Sequence, residues 1–359
     1  MSRSLVPVAV AAVVATLSMA ACVADRSVTP APGDGGASRT ATASTRPGTD
    51  GRARQPPLVV GQVAWVRVSV ATLWRSPGSP RPVDAPALAR PAQIQTWLGQ
   101  LTLTQRRGLS GRADTQALLG DRVRVLALPP DRPEWARVAI PSQPSPSDAR
   151  GYPGWVPRRQ LTARLPTVSA QRATVVARTT WLKTDDAQAA PLFPISFGTD
   201  LAVVGQAGGF VRVAAPDGRV LRLASGAVVV HPTGQPARAP SRSSLVRTAK
   251  QFVGLPYLWA GVSGFGLDCS GLTWLDYRIH GIRIPRDAEP QARHGTPANP
   301  PRRGDLMFYA TDGLVHHVSM YVGNGLMVHS PHTGARVQVI AASTPAYRSQ
   351  YVGSRRYLP

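Results

Sequence analysis

Over much of residues 63–231, apolar and polar residues alternate in short runs, and the runs are cut by Pro, Gly and Asp. The stretches "QVAWVRVSVATLWRSP", "GDRVRVLALPPDRPEWARVAIP" and "GYPGWVPRRQL" share this pattern, and so do "ATVVARTTWLKTDD", "LAVVGQAGGFVRVAAPDGRVLRLAS" and "GAVVVHP". A period of two with frequent breakers predicts short antiparallel strands. Many such strands in sequence predict small barrels. The break near residue 165 divides them into two units, over 61–164 and 165–235. The stretch "WLGQLTLTQRRGLSGRADTQALLGDRV" fits the barrel pattern poorly and reads as an insertion in the first unit. A generic β-domain without a binding role is the plain alternative for the second.

The start of the chain has a different character. Arg3 precedes an apolar run over 5–17, and the small residues Ala20 and Ala21 stand directly before Cys22. That order predicts a signal peptide over 1–21. The run is short for a membrane span and Pro7 interrupts it. A cysteine at this point resembles the bacterial lipobox, which implies lipidation of Cys22, with an ordinary secretory peptide as the alternative. Residues 22–60, rich in Pro, Gly, Ser, Thr and Ala, lack the apolar content to fold and predict a flexible, lipid-anchored linker. The expected location is extracytoplasmic, on the bacterial membrane and facing the wall.

A formal charge of +22 favours polyanions such as lipid head groups or wall polymers. The export signal argues against nucleic acid. Lysine occurs only at Lys183 and Lys250, so the excess is carried by arginine and reads as a general compositional bias.

The chain has two cysteines. If Cys22 carries lipid, Cys269 has no disulfide partner in a compartment that favours disulfides. Its neighbours supply a use. "SSLVRTAKQFVGLPYLWAG" has a Ser cap and helical apolar spacing, and it ends near Gly254. A Gly-rich loop then leads to "DCSGLTWLDYRIHGI", again with helical spacing, so Cys269 falls at a helix N-terminus. There the open N–H groups and the helix dipole favour a thiolate and an oxyanion.

In "LVHHVSMYVGNGLMVHSPH" apolar and polar residues alternate on both sides of Gly-Asn-Gly, which predicts a hairpin. A loop centred on Gly323 sets His317 opposite His329, giving a base and its orienter. A two-residue Asn324-Gly325 turn sets His317 against His332 instead. Spacing alone leaves both open. The histidines over 316–332 have no Cys or carboxylate at familiar metal-ligand spacing, so no metal and no cofactor are expected.

Together "PYLWAGVSGFGLDCSGLTW", "GIRIPRDAEPQ", "RRGDLMFY" and "HHVSMYVGNGLMVHSP" resemble the successive motifs of the NlpC/P60 cysteine peptidases, over 240–359. The resemblance implies an α+β papain-like domain with Cys269 as nucleophile, His317 as base and His329 as orienter. It implies cleavage of peptidoglycan stem peptides between D-glutamate and the diamino acid. Ser319 stands where the family usually has Gly. The preceding units resemble bacterial SH3 domains, making the expected architecture multidomain: two small all-β SH3-like barrels followed by the peptidase. That arrangement is similar to the γ-D-glutamyl-L-diamino acid endopeptidases of the dipeptidyl-peptidase VI type, which prefer a free N-terminal L-Ala. Matched motif by motif, it implies substrate-binding roles for Asp121, Tyr152, Tyr257, Trp259, Asp268, Ser270 and Asp287.

Two readings of different class follow: a membrane-tethered endopeptidase acting on peptidoglycan or its released peptides, and a wall-binding lipoprotein with weak or partner-activated hydrolysis. An intact Cys269, His317 and His329 set favours the first. An amidase or acyltransferase with the same Cys-His pair needs a different pocket.

Overall fold

The computed structural model describes residues 56–358. The leader, Cys22 and most of the linker lie outside the described residues. No helix among the described residues is long and apolar enough to cross a membrane.

Two seven-stranded antiparallel sheets come first. In the first, the strands run in space Ala113–Leu118, Val70–Trp74, Tyr152–Pro157, Trp135–Ile140, Arg122–Ala127, Val63–Val66, Leu161–Thr162. The second runs Pro191–Ser196, Thr179–Thr184, Val220–Ala224, Phe210–Ala214, Asp200–Ala207, Gln171–Val175, Val228–Pro232. Numbered within its own unit, each has the order 3-2-6-5-4-1-7, so the chain repeats one topology. Neither ladder closes end to end among the described residues. The alternation that marks these strands is the alternation of burial: in Arg122–Ala127 the arginines are exposed and Val123 and Val125 are buried.

The inserted stretch folds in two ways. Its first part forms short helices over Ile94–Gln100 and Leu103–Arg107. They are seated by Trp97, which packs edge-on against Trp74 at 6.2 Å and donates its indole N–H to Asp84, 2.9 Å away. Such a ring brings a large apolar area inside and needs its N–H satisfied there. The second part is not insertion at all. Ala113–Leu118 is an edge strand of the first sheet, and Asp121 lies in the turn that follows it.

The last region opens with α1 (Arg242–Gln251), capped by the Ser241 hydroxyl. Next come α2 (Cys269–Ile279) and α3 (Ala288–Arg293). A six-stranded sheet follows, with β1 (Leu306–Thr311), β2 (Leu314–Gly323), β3 (Leu326–His329), β4 (Gln338–Ala341) and β5 (Tyr351–Arg356). Its order is Thr296–Pro297, β5, β1, β2, β3, β4. Helix α2 is buried at ten of its eleven positions and packs on β2, which brings a helix start against the strand that carries His317.

Both sheets pack on this region. Phe197, directly after the strand Pro191–Ser196, meets Phe252 edge-on at 5.0 Å, and Arg178 donates to the carbonyls of Gln251 and Val253 at the end of α1. From the first sheet, Gln116 accepts from Ser263 and the carbonyl of Ser142 accepts from Trp274. The described residues all belong to one compact unit.

Candidate active site

Helix α2 begins where Asp268 adopts an extended backbone and accepts the N–H of Gly271 at 2.6 Å. That bond satisfies one of the amides a helix start leaves open. Cys269 is the next residue, a free and buried thiol, and the N–H groups of Ser270 and Val318 face its sulfur. Gly271 allows the approach of the loop before it: a Cβ there would lie 2.0 Å from the carbonyl oxygen of Gly261.

The hairpin takes the two-residue turn. Asn324 and Gly325 have φ of +54° and +68°, both positive as such a turn requires, and Gly323 pairs with Leu326. A bulge between Tyr321 and Gly323 then shifts the ladder by one, pairing Tyr321 with Met327 and Met320 with Val328. The loop centred on Gly323 is therefore not formed, and His317 and His329 are not directly opposite. They share a face two residues out of step, and the rings bridge the offset with His317 Nε2 at 3.0 Å from His329 Nδ1. His332 is exposed and turned onto the Thr333 carbonyl.

Because His317 commits Nε2 to His329, Nδ1 is the nitrogen left for the thiol. A lone pair on Nδ1 requires the His317 proton to sit on Nε2 and point at His329 Nδ1. His329 Nε2 lies 3.1 Å from the Gln338 side-chain amide, which completes the relay when it presents its oxygen. Ser319 adds no free hydroxyl to this face: it is fully buried and hydrogen-bonded to the Tyr309 hydroxyl at 2.9 Å. Above the two histidines sits Tyr347, 5.4 Å from the His317 ring and edge-on to His329 at 4.8 Å.

Electrostatics at the thiol reverse the expectation drawn from the helix start. Burial and the Asp268 carboxylate push Cys269 up to about 12, against the smaller pull of the two backbone amides and Arg286. Burial and the neighbouring His329 push His317 down to about 3. Burial likewise lowers His329 to about 4. Thiol and imidazole therefore rest as a neutral pair near pH 7.

The remaining candidates divide. Asp268 and Ser270 meet at one buried guanidinium: Arg286 donates to Asp268 at 2.6 and 3.1 Å and to Ser270 at 3.0 Å, while its Nε reaches Thr115 of the first sheet at 2.9 Å. Tyr152 donates its hydroxyl to Asp287 at 2.9 Å, joining the first sheet to the peptidase region. Burial holds the Asp287 carboxyl above the usual range, although Arg286 pulls the other way. Burial also raises the Tyr257 phenol, with the Cys269 and Asp268 charges adding to the effect, and Tyr257 pairs with Leu267, two residues before Cys269. Trp259 donates to the Ala113 carbonyl at 2.8 Å and ties the loop to the first sheet's edge.

Asp121 is not brought to the site. Its carboxylate accepts the Leu118 N–H and pairs with Arg278. Arg278 is nine residues beyond Cys269, about 13 Å along α2 at the helical rise. Asp114, on the strand before that turn, pairs with Arg75 at 3.2 Å, and its charge is felt at both Tyr152 and Asp287. Arg286, Gln338 and Tyr347 also escaped the sequence reading. Of these, only Arg286 carried a signal, as the basic neighbour of Asp287 in "PRDA".

Comparisons with known proteins agree with this geometry. Residues 254–356 match the NlpC/P60 family, and residues 175–230 match the YKFC SH3b2 domain. The chain is 38% identical over 311 residues to a gamma-D-glutamyl-L-lysine dipeptidyl-peptidase of Bacillus cereus, covering 82% of this chain and 91% of the relative. A protein of the same description from Bacillus subtilis is 35% identical over 295 residues, covering 80% and 96%. Among solved structures, a NlpC/P60 family protein from Bacillus cereus superposes with a TM-score of 0.78 at 37% identity, covering 83% of this chain and all of the other. A shared peptidase region, a shared SH3b unit and relatives matched over nearly their full length make one conclusion: the chain belongs to the NlpC/P60 family.

Proposed function

We propose that the chain is a cysteine endopeptidase that hydrolyses the bond between γ-linked D-glutamate and the diamino acid of peptidoglycan stem peptides, with preference for a free N-terminal L-Ala. The observation that carries this reading is the His317, His329 and Gln338 chain on strands packed against the helix that starts at Cys269, with Tyr152 and Asp287 hydrogen-bonded across the first sheet and the peptidase region. His317 Nδ1 takes the thiol proton as sulfur attacks the γ-carbonyl carbon. The tetrahedral oxyanion forms near the amides at the α2 start. Collapse breaks the C–N bond, and the imidazolium gives its proton to the departing amine. Water, deprotonated by His317, then hydrolyses the thioester and restores the thiol.

The preference for a free amine is supported by acidity and by closure. An ammonium needs acceptors, and the hydrogen-bonded Asp287 and Tyr152 offer oxygen atoms. Tyr152 comes from the first sheet, which supports closure of this side against a muramyl group on L-Ala. The test is hydrolysis of L-Ala-γ-D-Glu-diaminopimelate and of its muramyl-linked form, followed by mass. Cleavage of the free peptide at least tenfold faster is expected. Equal rates sink the amine preference, and cleavage of neither sinks the enzymatic reading.

We also propose that lipid on Cys22 holds the enzyme at the membrane outside the cell, as the order of leader, small residues and cysteine supports. Cys22→Ala is expected to move the protein from the detergent phase to the aqueous phase on detergent partition. An unchanged distribution refutes the anchor.

A further inference from the structure

A cavity of about 260 Å³ opens where the inserted helix Leu103–Arg107 meets the loop after β3. Arg106, Arg336, Leu103, Gly334 and Tyr257 line it. Backbone bonds fix its walls: the Tyr257 N–H donates to the Ala335 carbonyl at 2.9 Å, and Pro256 bridges to Arg336. Leu103 rests directly on Gly334.

The two arginines are held but not neutralised. Arg106 donates to the carbonyls of Leu98 and Leu101, and Arg336 donates to the carbonyl of Gly254 at 2.9 Å. Among the described residues neither forms an ion pair. Burial and the nearby Arg336 charge both lower Arg106 from its ordinary value, so the pair repels across the cavity. Two guanidiniums facing one small space bind a planar anion well and an ammonium badly. Tyr257 lines this space and pairs with Leu267, two residues before Cys269, so the cavity shares a wall with the loop that leads to the thiol.

We propose that Arg106 and Arg336 form a subsite for a carboxylate of the stem peptide, a determinant of which peptides the enzyme accepts. The inference rests on the peptidase reading above. Apart from the C-terminal carboxylate that these tripeptides share, two carboxylates have this chemistry: the α-carboxylate of the γ-linked D-glutamate, and the side-chain carboxylate that diaminopimelate has and lysine lacks. If the second is held, the enzyme prefers diaminopimelate, because lysine brings only an ammonium toward the two cations.

The experiment measures KM and kcat for the wild type, Arg336→Gln and Arg336→Lys with three peptides: L-Ala-γ-D-Glu-diaminopimelate, L-Ala-γ-D-Glu-L-Lys, and the diaminopimelate peptide with its D-glutamate α-carboxyl amidated. Calorimetry of the same peptides on Cys269→Ala and on Cys269→Ala/Arg336→Gln gives binding without turnover. Melting curves check that loss of the Gly254 contact leaves the fold intact. Arg336→Gln is expected to raise KM for the diaminopimelate peptide about tenfold with kcat within twofold, with a matching loss of binding and partial recovery in Arg336→Lys. The wild type loses the same factor with whichever peptide lacks the bound carboxylate, and the Gln variant does not discriminate. An equal Kd with and without Arg336 for every peptide overturns the subsite, whether or not the wild type cleaves. Absence of cleavage with Arg336-dependent binding keeps the subsite and refutes the peptidase reading alone.

Discussion

Cys269→Ala is expected to lower kcat by about 10⁴-fold or more while changing stability by only about 1 kcal/mol, the scale of a small core truncation. The same thiol makes a sharper prediction before any substrate is present. Alkylation requires thiolate, and burial with the Asp268 charge pushes Cys269 up to about 12. His317, pushed down to about 3, offers no imidazolium to hold the anion. Inactivation of the free enzyme by iodoacetamide should therefore rise about tenfold per pH unit from pH 6 to 9, following the thiolate fraction, without a plateau. A plateau beginning below pH 7 would show a resting thiolate–imidazolium pair and overturn the neutral assignment. The neutral pair makes His317 a general base that acts during attack. Its activity then needs no deprotonation of imidazole above pH 6, because a histidine with a lowered value is already neutral there.

The helix start is where reading from sequence and reading from structure part most clearly. A cysteine at a helix N-terminus is legible from Asp268, the Gly-rich loop and the apolar spacing of α2, and the dipole argument then favours thiolate. What spacing does not carry is how much of the molecule closes over that start. The first sheet, the loop at Gly261 and strand β2 bury it, and removal of water outweighs two amides. The hairpin teaches the same point at smaller scale. Alternation tells which residues share a face with His317, but it leaves the loop centred on Gly323 and the Asn324-Gly325 turn both open, and a one-residue bulge at 321–323 is invisible to period counting. It decides that His317 and His329 meet diagonally. Asp121 was reached by matching a local motif, whereas its position follows from a long-range partner, Arg278, 157 residues away. Asp114 lies seven residues earlier on an edge strand that read as insertion. The strands themselves were legible because each has one buried and one exposed face, as in Arg122–Ala127.

Arg286, marked in the sequence only as the basic neighbour of Asp287, is the residue whose loss should reach furthest. It is 1% exposed, and one guanidinium holds Asp268, Ser270 and, through Nε, Thr115 of the first sheet. Burial alone pulls its value down, and the Asp268 carboxylate more than reverses this, keeping the cation in place. Arg286→Met keeps most of the volume and removes the charge. It leaves the Asp268 carboxylate buried without its partner, a loss of about 3–5 kcal/mol. Urea unfolding should report that loss, and kcat/KM should fall as well, because Asp268 orients the turn that presents Cys269. The two effects separate in the double variant Arg286→Met/Asp268→Asn. With no unpaired charge left, and an amide oxygen still able to accept from Gly271, stability should largely return. Activity should not, since the link from the α2 start to Thr115 is gone and the cleft wall that carries Tyr152 is no longer tied to the thiol through this side chain. A single variant within about 1 kcal/mol of the wild type would mean that water solvates Asp268 once the arginine is removed. A double variant that regains both stability and activity would make Arg286 a purely structural counter-ion.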